Sequence, residues 1–112
     1  MSRPLRSILI GDVDNYPSEY IFGVAQGITL LGHWHNTVNV RAYLETIERR
    51  LYQVSPDIIW GHMLLWAPGG LERTMKLIDL CEFWRHRGAK VVLHDGDARP
   101  EEGGEPARWG EV

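Results

Sequence analysis

Short apolar runs alternate along the chain with longer segments in which apolar residues recur every three or four positions. The runs at residues 7–10, 57–60 and 90–93 predict strands, and the first of them is typical of a strand buried on both faces. A weaker alternation over residues 33–40 predicts one further strand. Helical spacing predicts three amphipathic helices, which cover approximately residues 21–31, 40–54 and 71–87.

Helix-start and helix-end signals stand at the boundaries between these segments. Ser18 is a candidate N-cap, Gly32 and Gly88 stand where a helix C-terminus favours a left-handed residue, and Pro56 follows the second helix. The resulting order, β-α-β-α-β-α-β, predicts a Rossmann-like α/β domain with a parallel sheet of about four strands and helices on both faces. We assign residues 1–99 to this domain and residues 100–112 to an acidic tail or linker. Four strands form a small sheet, so the domain is either minimal or the front portion of a larger protein.

Composition narrows the class of protein. A chain of 112 residues has room for one domain, and its 44% apolar and 24% charged residues exclude wholesale disorder. No apolar run approaches the ~20 residues that a membrane-spanning helix needs. Cys81 is the single cysteine, which excludes an internal disulfide and fits a reducing cytoplasm. The formal net charge of −3 argues against general nucleic-acid binding.

Polar residues cluster where three of the predicted strands end. They are Gly11, Asp12 and Asp14 after the first strand, Gly61 and His62 after the third, and His94, Asp95, Asp97 and Arg99 after the fourth. In open parallel sheets, ligands bind beyond the carboxyl ends of the strands. We therefore expect one binding cleft at this edge, with His62 and Asp95 both bordering it.

Several kinds of chemistry remain as alternatives at these positions. The first loop lacks G-x-G-x-x-G and carries two aspartates that would repel phosphate, which disfavours a dinucleotide site. The D-x-D pairs at residues 12–14 and 95–97 offer oxygen ligands for Mg²⁺ or Mn²⁺, so a metal-dependent nucleotide or phosphate enzyme is one alternative. His33 and His35 share one side of a strand, but we expect exposed histidines there rather than a zinc site.

The aromatic residues near the third strand allow two interpretations. Trp60 and Trp66 flank the loop that contains His62, and they are either platforms for a sugar or base or packing surfaces against a further domain; we favour packing. Cys81 and Trp84 fall on the apolar side of the third helix. We expect Trp84 in the core and Cys81 to be a buried, inert thiol.

Four sequence phrases occur in an order and spacing that resemble a known family. They are ILIG at residues 8–11, LGH at 31–33, SPDIIWGH at 55–62 and RGAKVVLHD at 87–95. Together they resemble the N-terminal Rossmann-like domain of GT-B glycosyltransferases, including the bacterial and phage members related to the spore-maturation glycosyltransferases. The resemblance covers approximately residues 7–99.

The resemblance implies an acceptor-side domain, whose nucleotide-sugar donor is bound by a second Rossmann-like domain and whose chemistry generally requires no metal. It implies that His62, His94 and Asp95 face the interdomain cleft, where one of them is a general base or an acceptor contact. The remaining strand-end residues, together with Trp60 and Trp66, become candidate substrate contacts. The acidic first loop departs from the family and puts direct phosphate contact there in doubt.

The chain contains no donor-binding domain, so we expect it to transfer no sugar unless a second domain, a partner chain or a homo-oligomer completes the cleft. The alternative from another functional class is a non-catalytic interaction module with a Rossmann-like fold, which docks a partner through its aromatic surface.

Overall fold

The structure, a computed structural model, describes residues 3–12, 19–64 and 68–94. Strands and helices alternate through these ranges in the predicted order. They are β1 (Arg6–Gly11), α1 (Glu19–Leu30), β2 (Trp34–Asn39), α2 (Leu44–Val54), β3 (Ile58–His62), α3 (Gly70–His86) and β4 (Lys90–His94). The candidate N-cap Ser18 and the expected boundary near residue 100 lie outside the described residues.

The four strands form one sheet in the order β2-β1-β3-β4, and all neighbouring pairs are parallel. The predicted parallel sheet is therefore confirmed, as is the class of small Rossmann-like α/β domain. Because the strands are parallel, their carboxyl ends lie at one edge of the sheet, where ligands bind in this class. Within the described residues, no helix is both long enough and apolar enough to cross a bilayer.

The two faces of the sheet are covered differently. One face packs against α2 and α3 and forms the main core, which includes Ile8, Ile10, Ile47, Leu51, Ile59 and Leu77. The opposite face is covered by α1, which lies over β1 and β2. Helices on both faces are thus confirmed, with two on one side and one on the other.

Two expectations for the third helix are also confirmed. Cys81 and Trp84 both point into the core and are 2% and 4% exposed. Burial raises the pKa of the Cys81 thiol to about 12, so the sulfur is protonated and inert at neutral pH.

The second helix begins four residues later than its apolar spacing predicts. Val40 is a core residue, but residues 40–43 form a turn because Asn39 Oδ1 accepts a hydrogen bond from the backbone N–H of Arg41 at 2.8 Å. The Arg73 guanidinium then donates to the carbonyl oxygens of Val40 and Ala42 at 2.7 and 2.6 Å. These bonds satisfy backbone groups that a longer helix would have used.

Candidate functional site

Three aromatic rings meet at the carboxyl edge of the sheet. His62 ends β3, His94 ends β4, and Tyr20 reaches them from the first turn of α1. The ring centroids of Tyr20 and His94 are 4.0 Å apart, those of Tyr20 and His62 are 5.1 Å apart, and those of the two histidines are 5.5 Å apart. All three planes lie within 17° of one another, so the rings form a stacked cluster. We call Tyr20, His62 and His94 the ring cluster.

The register of the sheet places the two histidines side by side. His62 pairs with His94 across β3 and β4, and the next backbone N–H, that of Met63, donates to the His94 carbonyl at 2.8 Å. Met63 has a φ of 56°, an uncommon left-handed conformation for a methionine. The chain therefore turns sharply away from the sheet directly after His62, and strained backbone of this kind is common beside functional sites.

Close packing against β1 fixes the position of His62. A Cβ added to Gly11 would lie 3.3 Å from the Cβ of His62 and 3.5 Å from the Cδ1 of Ile21, so the glycine lets both side chains approach the strand. His62 is 6% exposed, whereas His94 and Tyr20 are half-buried. Burial raises the pKa of the Tyr20 phenol above its usual value near 10, which keeps its hydroxyl protonated.

An ion pair lies at the same edge, beyond β1. The carboxylate of Asp12 is largely buried, and its Oδ2 accepts a hydrogen bond from Arg41 Nε at 2.7 Å. Arg41 lies two residues after the end of β2, and Asp12 lies just after the end of β1, so the ends of two neighbouring strands supply the two partners. The positive charge of the Arg41 guanidinium offsets the negative charge of Asp12. Asp12 therefore repels anions less than the sequence alone suggests.

A chain of polar side chains runs across the sheet on the face that α1 covers. Trp60 Nε1 donates to Ser7 Oγ at 2.8 Å, and Ser7 Oγ pairs with His35 Nδ1 at 2.9 Å. His33 Nδ1 accepts from the backbone N–H of Leu5 at 2.9 Å. The expectation of exposed histidines at 33 and 35 is therefore wrong: both are half-buried, and each hydrogen-bonds to β1 or to the segment just before it.

The structure brings some of the predicted site residues together. Gly11 and Asp12 lie at the carboxyl edge with His62 and His94, and Trp60 lies two residues before His62 on the same face of β3. The other predicted residues fall outside the described ranges; they are Asp14, Trp66, Asp95, Asp97 and Arg99. The expectation that His62 and Asp95 share one cleft therefore stays a prediction, as do the metal-binding roles of the two D-x-D pairs. Within the described ranges, no three His, Cys, Asp or Glu side chains are grouped as a metal site.

Two residues of the edge were missed by sequence reasoning. Tyr20 follows the candidate N-cap Ser18 by two positions, and the first turn of a helix after β1 lies at the carboxyl edge in this fold. Arg41 follows the end of β2, the one strand whose carboxyl end was not considered. Both positions could have been found by applying the strand-end rule to every strand and to the helix starts.

Comparisons with protein families, with curated proteins and with solved structures find no match to this chain. The topology defines the class as a small, parallel α/β domain of the Rossmann-like type. Its candidate site is the ring cluster together with the Asp12–Arg41 ion pair at the carboxyl edge.

Proposed function

We propose that the chain is the acceptor-side domain of a glycosyltransferase, and that the ring cluster binds the sugar or other hydroxyl compound that receives the glycosyl group. The observation that carries the proposal is the juxtaposition of His62, His94 and Tyr20 at the carboxyl edge of the sheet. A ring nitrogen of the half-buried His94 can hydrogen-bond to an acceptor hydroxyl, and imidazole is a common general base for hydroxyl groups.

Exposure separates the roles of the two histidines. His94 is half-buried and can present a ring nitrogen to a bound hydroxyl, whereas His62 is only 6% exposed. We therefore assign His94 as the acceptor contact and general base. His62 and Tyr20 are positioning residues, because their rings stack with His94 and limit its orientation.

The charge at this edge favours an acceptor over a nucleotide-sugar donor. A pyrophosphate needs backbone amides or a surplus of cations. Asp12 and Arg41 neutralise each other and supply no net positive charge. The nucleotide sugar is accordingly bound by another domain or a partner chain, and the present chain supplies half of the cleft.

Saturation-transfer NMR tests the proposal. The probes are the methyl glycosides of glucose, galactose and N-acetylglucosamine, with UDP-glucose and UDP as donor-type probes. We expect saturation transfer to at least one glycoside at millimolar concentration, since half a cleft binds weakly, and little transfer to UDP. We expect His94→Ala to abolish the saturation transfer to the glycosides. His86→Ala is the matched control, because the His86 side chain is 72% exposed and lies at the other end of the domain, at the C-terminus of α3.

Two results would overturn the acceptor role. One is the absence of saturation transfer to every glycoside, and the other is equal transfer in His94→Ala and His86→Ala. Transfer to UDP alone would instead assign the edge to the donor.

A further inference from the structure

Two histidines at the start of β2 contact the neighbouring strand through the same ring nitrogen. His33 Nδ1 accepts from the backbone N–H of Leu5 at 2.9 Å, and His35 Nδ1 lies 2.9 Å from Ser7 Oγ. Leu5 and Ser7 belong to β1 or to the segment just before it, so both contacts join the start of β2 to β1. We call His33 and His35 the β2 histidine pair.

The direction of the hydrogen bond between Ser7 and His35 follows from the second partner of Ser7. The Trp60 indole can only donate, and its Nε1 lies 2.8 Å from Ser7 Oγ, so the hydroxyl accepts there. Ser7 is fully buried, and its hydroxyl hydrogen has His35 Nδ1 as the acceptor. His35 is therefore neutral and carries its proton on Nε2, which lies 3.3 Å from Thr37 Oγ1.

Protonation removes both acceptors of the pair. An imidazolium carries a hydrogen on each ring nitrogen and accepts no hydrogen bond. The Leu5 N–H would then face an N–H of His33, and the Ser7 hydroxyl, which already accepts from Trp60, would face an N–H of His35. Because Ser7 is buried, its hydroxyl cannot bond to water instead, and the lost hydrogen bond destabilises the contact. Burial also lowers the pKa of His35, which acts in the same direction.

The charged groups beside the start of β1 are already paired. Asp57 precedes β3, and its carboxylate accepts from the Arg3 guanidinium at 2.7 Å and from the backbone N–H of Arg6 at 2.8 Å. The Arg6 side chain lies on the opposite face of the sheet, where it donates to a backbone carbonyl of α2. Little of the Asp57 charge is therefore left to stabilise a charged imidazole.

Other titratable groups on this face of the sheet lie farther away. Lys90 stands in the same row as His35, three strands across the sheet, which at ~4.8 Å per strand is about 14 Å. Ions screen most of a repulsion over that distance. The other titratable side chains that the structure describes on this face lie at the carboxyl edge, at the far end of the strands; they are Tyr20 of α1, His62 of β3 and His94 of β4. Protonation of the pair is thus governed by its own hydrogen bonds and its burial.

We propose that the β2 histidine pair is a pH-sensitive contact, which releases the start of β2 from β1 when His33 and His35 are protonated. β2 stands at one end of the strand order, and between the two histidines the backbone N–H of Trp34 donates to the Leu5 carbonyl at 2.9 Å. The backbone N–H of His33 donates to the Ile28 carbonyl in α1, so release of β2 would also loosen the end of that helix. The pair lies at the amino edge of the sheet, away from the ring cluster, and the proposal is independent of the glycosyltransferase function.

Amide hydrogen exchange of the 112-residue chain tests the proposal, measured by NMR at pH 7.5 and pH 5.5 and corrected for the intrinsic exchange rate. The Trp34 N–H reports opening at the start of β2, and the Lys90 N–H, which donates to the Asp57 carbonyl at 2.8 Å, reports the other side of the sheet. A histidine that is neutral in the closed state and has its usual pKa near 6.5 in the open state raises the opening constant by up to about tenfold at pH 5.5. We expect the protection of Trp34 to fall roughly tenfold between the two pH values, while that of Lys90 is unchanged.

Glutamine variants separate the charge from the contact, because glutamine accepts a hydrogen bond but does not titrate. His33→Gln and His35→Gln should each reduce the pH dependence at Trp34, and the double variant should abolish it. His86→Gln is the matched control, since the His86 side chain is 72% exposed and lies at the C-terminus of α3. Circular dichroism verifies that each variant is folded at both pH values.

Three exchange results would overturn the proposal. They are equal protection of Trp34 at both pH values in the unsubstituted chain, a fall that the double variant retains, and an equal fall at Trp34 and Lys90, which would mean that the whole domain opens. The ¹⁵N shifts of the His35 ring give a second readout that needs no variant. At pH 7.5 they should show the proton on Nε2, and a proton on Nδ1 would contradict the direction of the hydrogen bonds.

Discussion

Replacing Gly61 by alanine should destabilise the domain, because the strand leaves almost no room for a methyl group. Gly61 lies in β3 directly before His62 and is buried. A Cβ there would lie 2.7 Å from Cδ2 of Leu93 and 2.8 Å from Cδ1 of Leu64. Ordinary contact begins near 3.4 Å, so both leucines would have to move by about 0.6–0.7 Å. Leu93 is 41% exposed and can move, whereas Leu64 is 5% exposed and is held in the core.

The magnitude follows from two opposing effects. Overpacking a core costs about 1–3 kcal/mol. Gly→Ala also restricts the unfolded chain, which returns about 0.4–1 kcal/mol, and φ at Gly61 lies outside the left-handed region and adds no backbone strain. We expect a net loss of about 1 kcal/mol in the free energy of unfolding, or a fall of roughly 4–8 °C in Tm. Urea unfolding followed by tryptophan fluorescence measures it.

The matched control is Gly23→Ala in α1, where the same methyl group meets open space. Because alanine favours helix over glycine, this variant should gain about 0.5–1 kcal/mol in the free energy of unfolding. In a Leu93→Ala background, Gly61→Ala should lower the free energy of unfolding by less. The Leu93 Cδ2 atom, which would lie closest to the added Cβ, is then absent. If Gly61→Ala were as stable as the unsubstituted chain, the packing argument for β3 would be refuted.

Three further predictions concern titration, reactivity and turnover. Burial lowers the pKa of His35 below its usual value of 6.5, so the free energy of unfolding should fall as the pH drops below about 6.5. In urea unfolding at several pH values, His35→Gln should flatten this pH dependence. An unchanged slope would contradict the burial argument. Cys81 should react with Ellman's reagent at pH 8 only after unfolding, because burial raises the pKa of its thiol to about 12. Rapid reaction of the native chain would contradict the buried position of this thiol. Under the proposed function the chain supplies only the acceptor side of the cleft, so by itself it should not turn over nucleotide sugars. Aligning two substrates contributes up to about 7–11 kcal/mol in ideal cases, and this requires both sides of the cleft. Measurable transfer would contradict the proposal.

Most of the fold was predictable from local pattern. The strands at β1, β3 and β4 were predicted to within two residues because each is a short apolar run between turn signals. The start of α2 was not predictable in this way. Val40 continues the helical spacing, but long-range hydrogen bonds from Arg73 hold its carbonyl in a turn, and no local pattern reports a contact over 33 residues.

The candidate site was predictable where it follows from topology. Parallel strands bring His62 and His94 to one edge, and their adjacency depends only on β3 and β4 being neighbours. The contribution of Tyr20 depends on the rotation of α1 about its axis, and that of Arg41 on its pairing with Asp12 across the sheet. The half-buried state of His35 likewise depends on Ser7, 28 positions away. Such pairings arise from packing and leave no local signal in the sequence.

The measurement that tests the proposed acceptor site most directly is NMR of the side chains themselves. Imidazole ¹H–¹⁵N and tyrosine ring spectra are recorded while the methyl glycoside that gives the strongest saturation transfer is titrated into the chain. The account predicts progressive shifts in the signals of His94, His62 and Tyr20, with those of His33 and His86 unchanged. Shifts at His33 or His86 with an unperturbed ring cluster would contradict it.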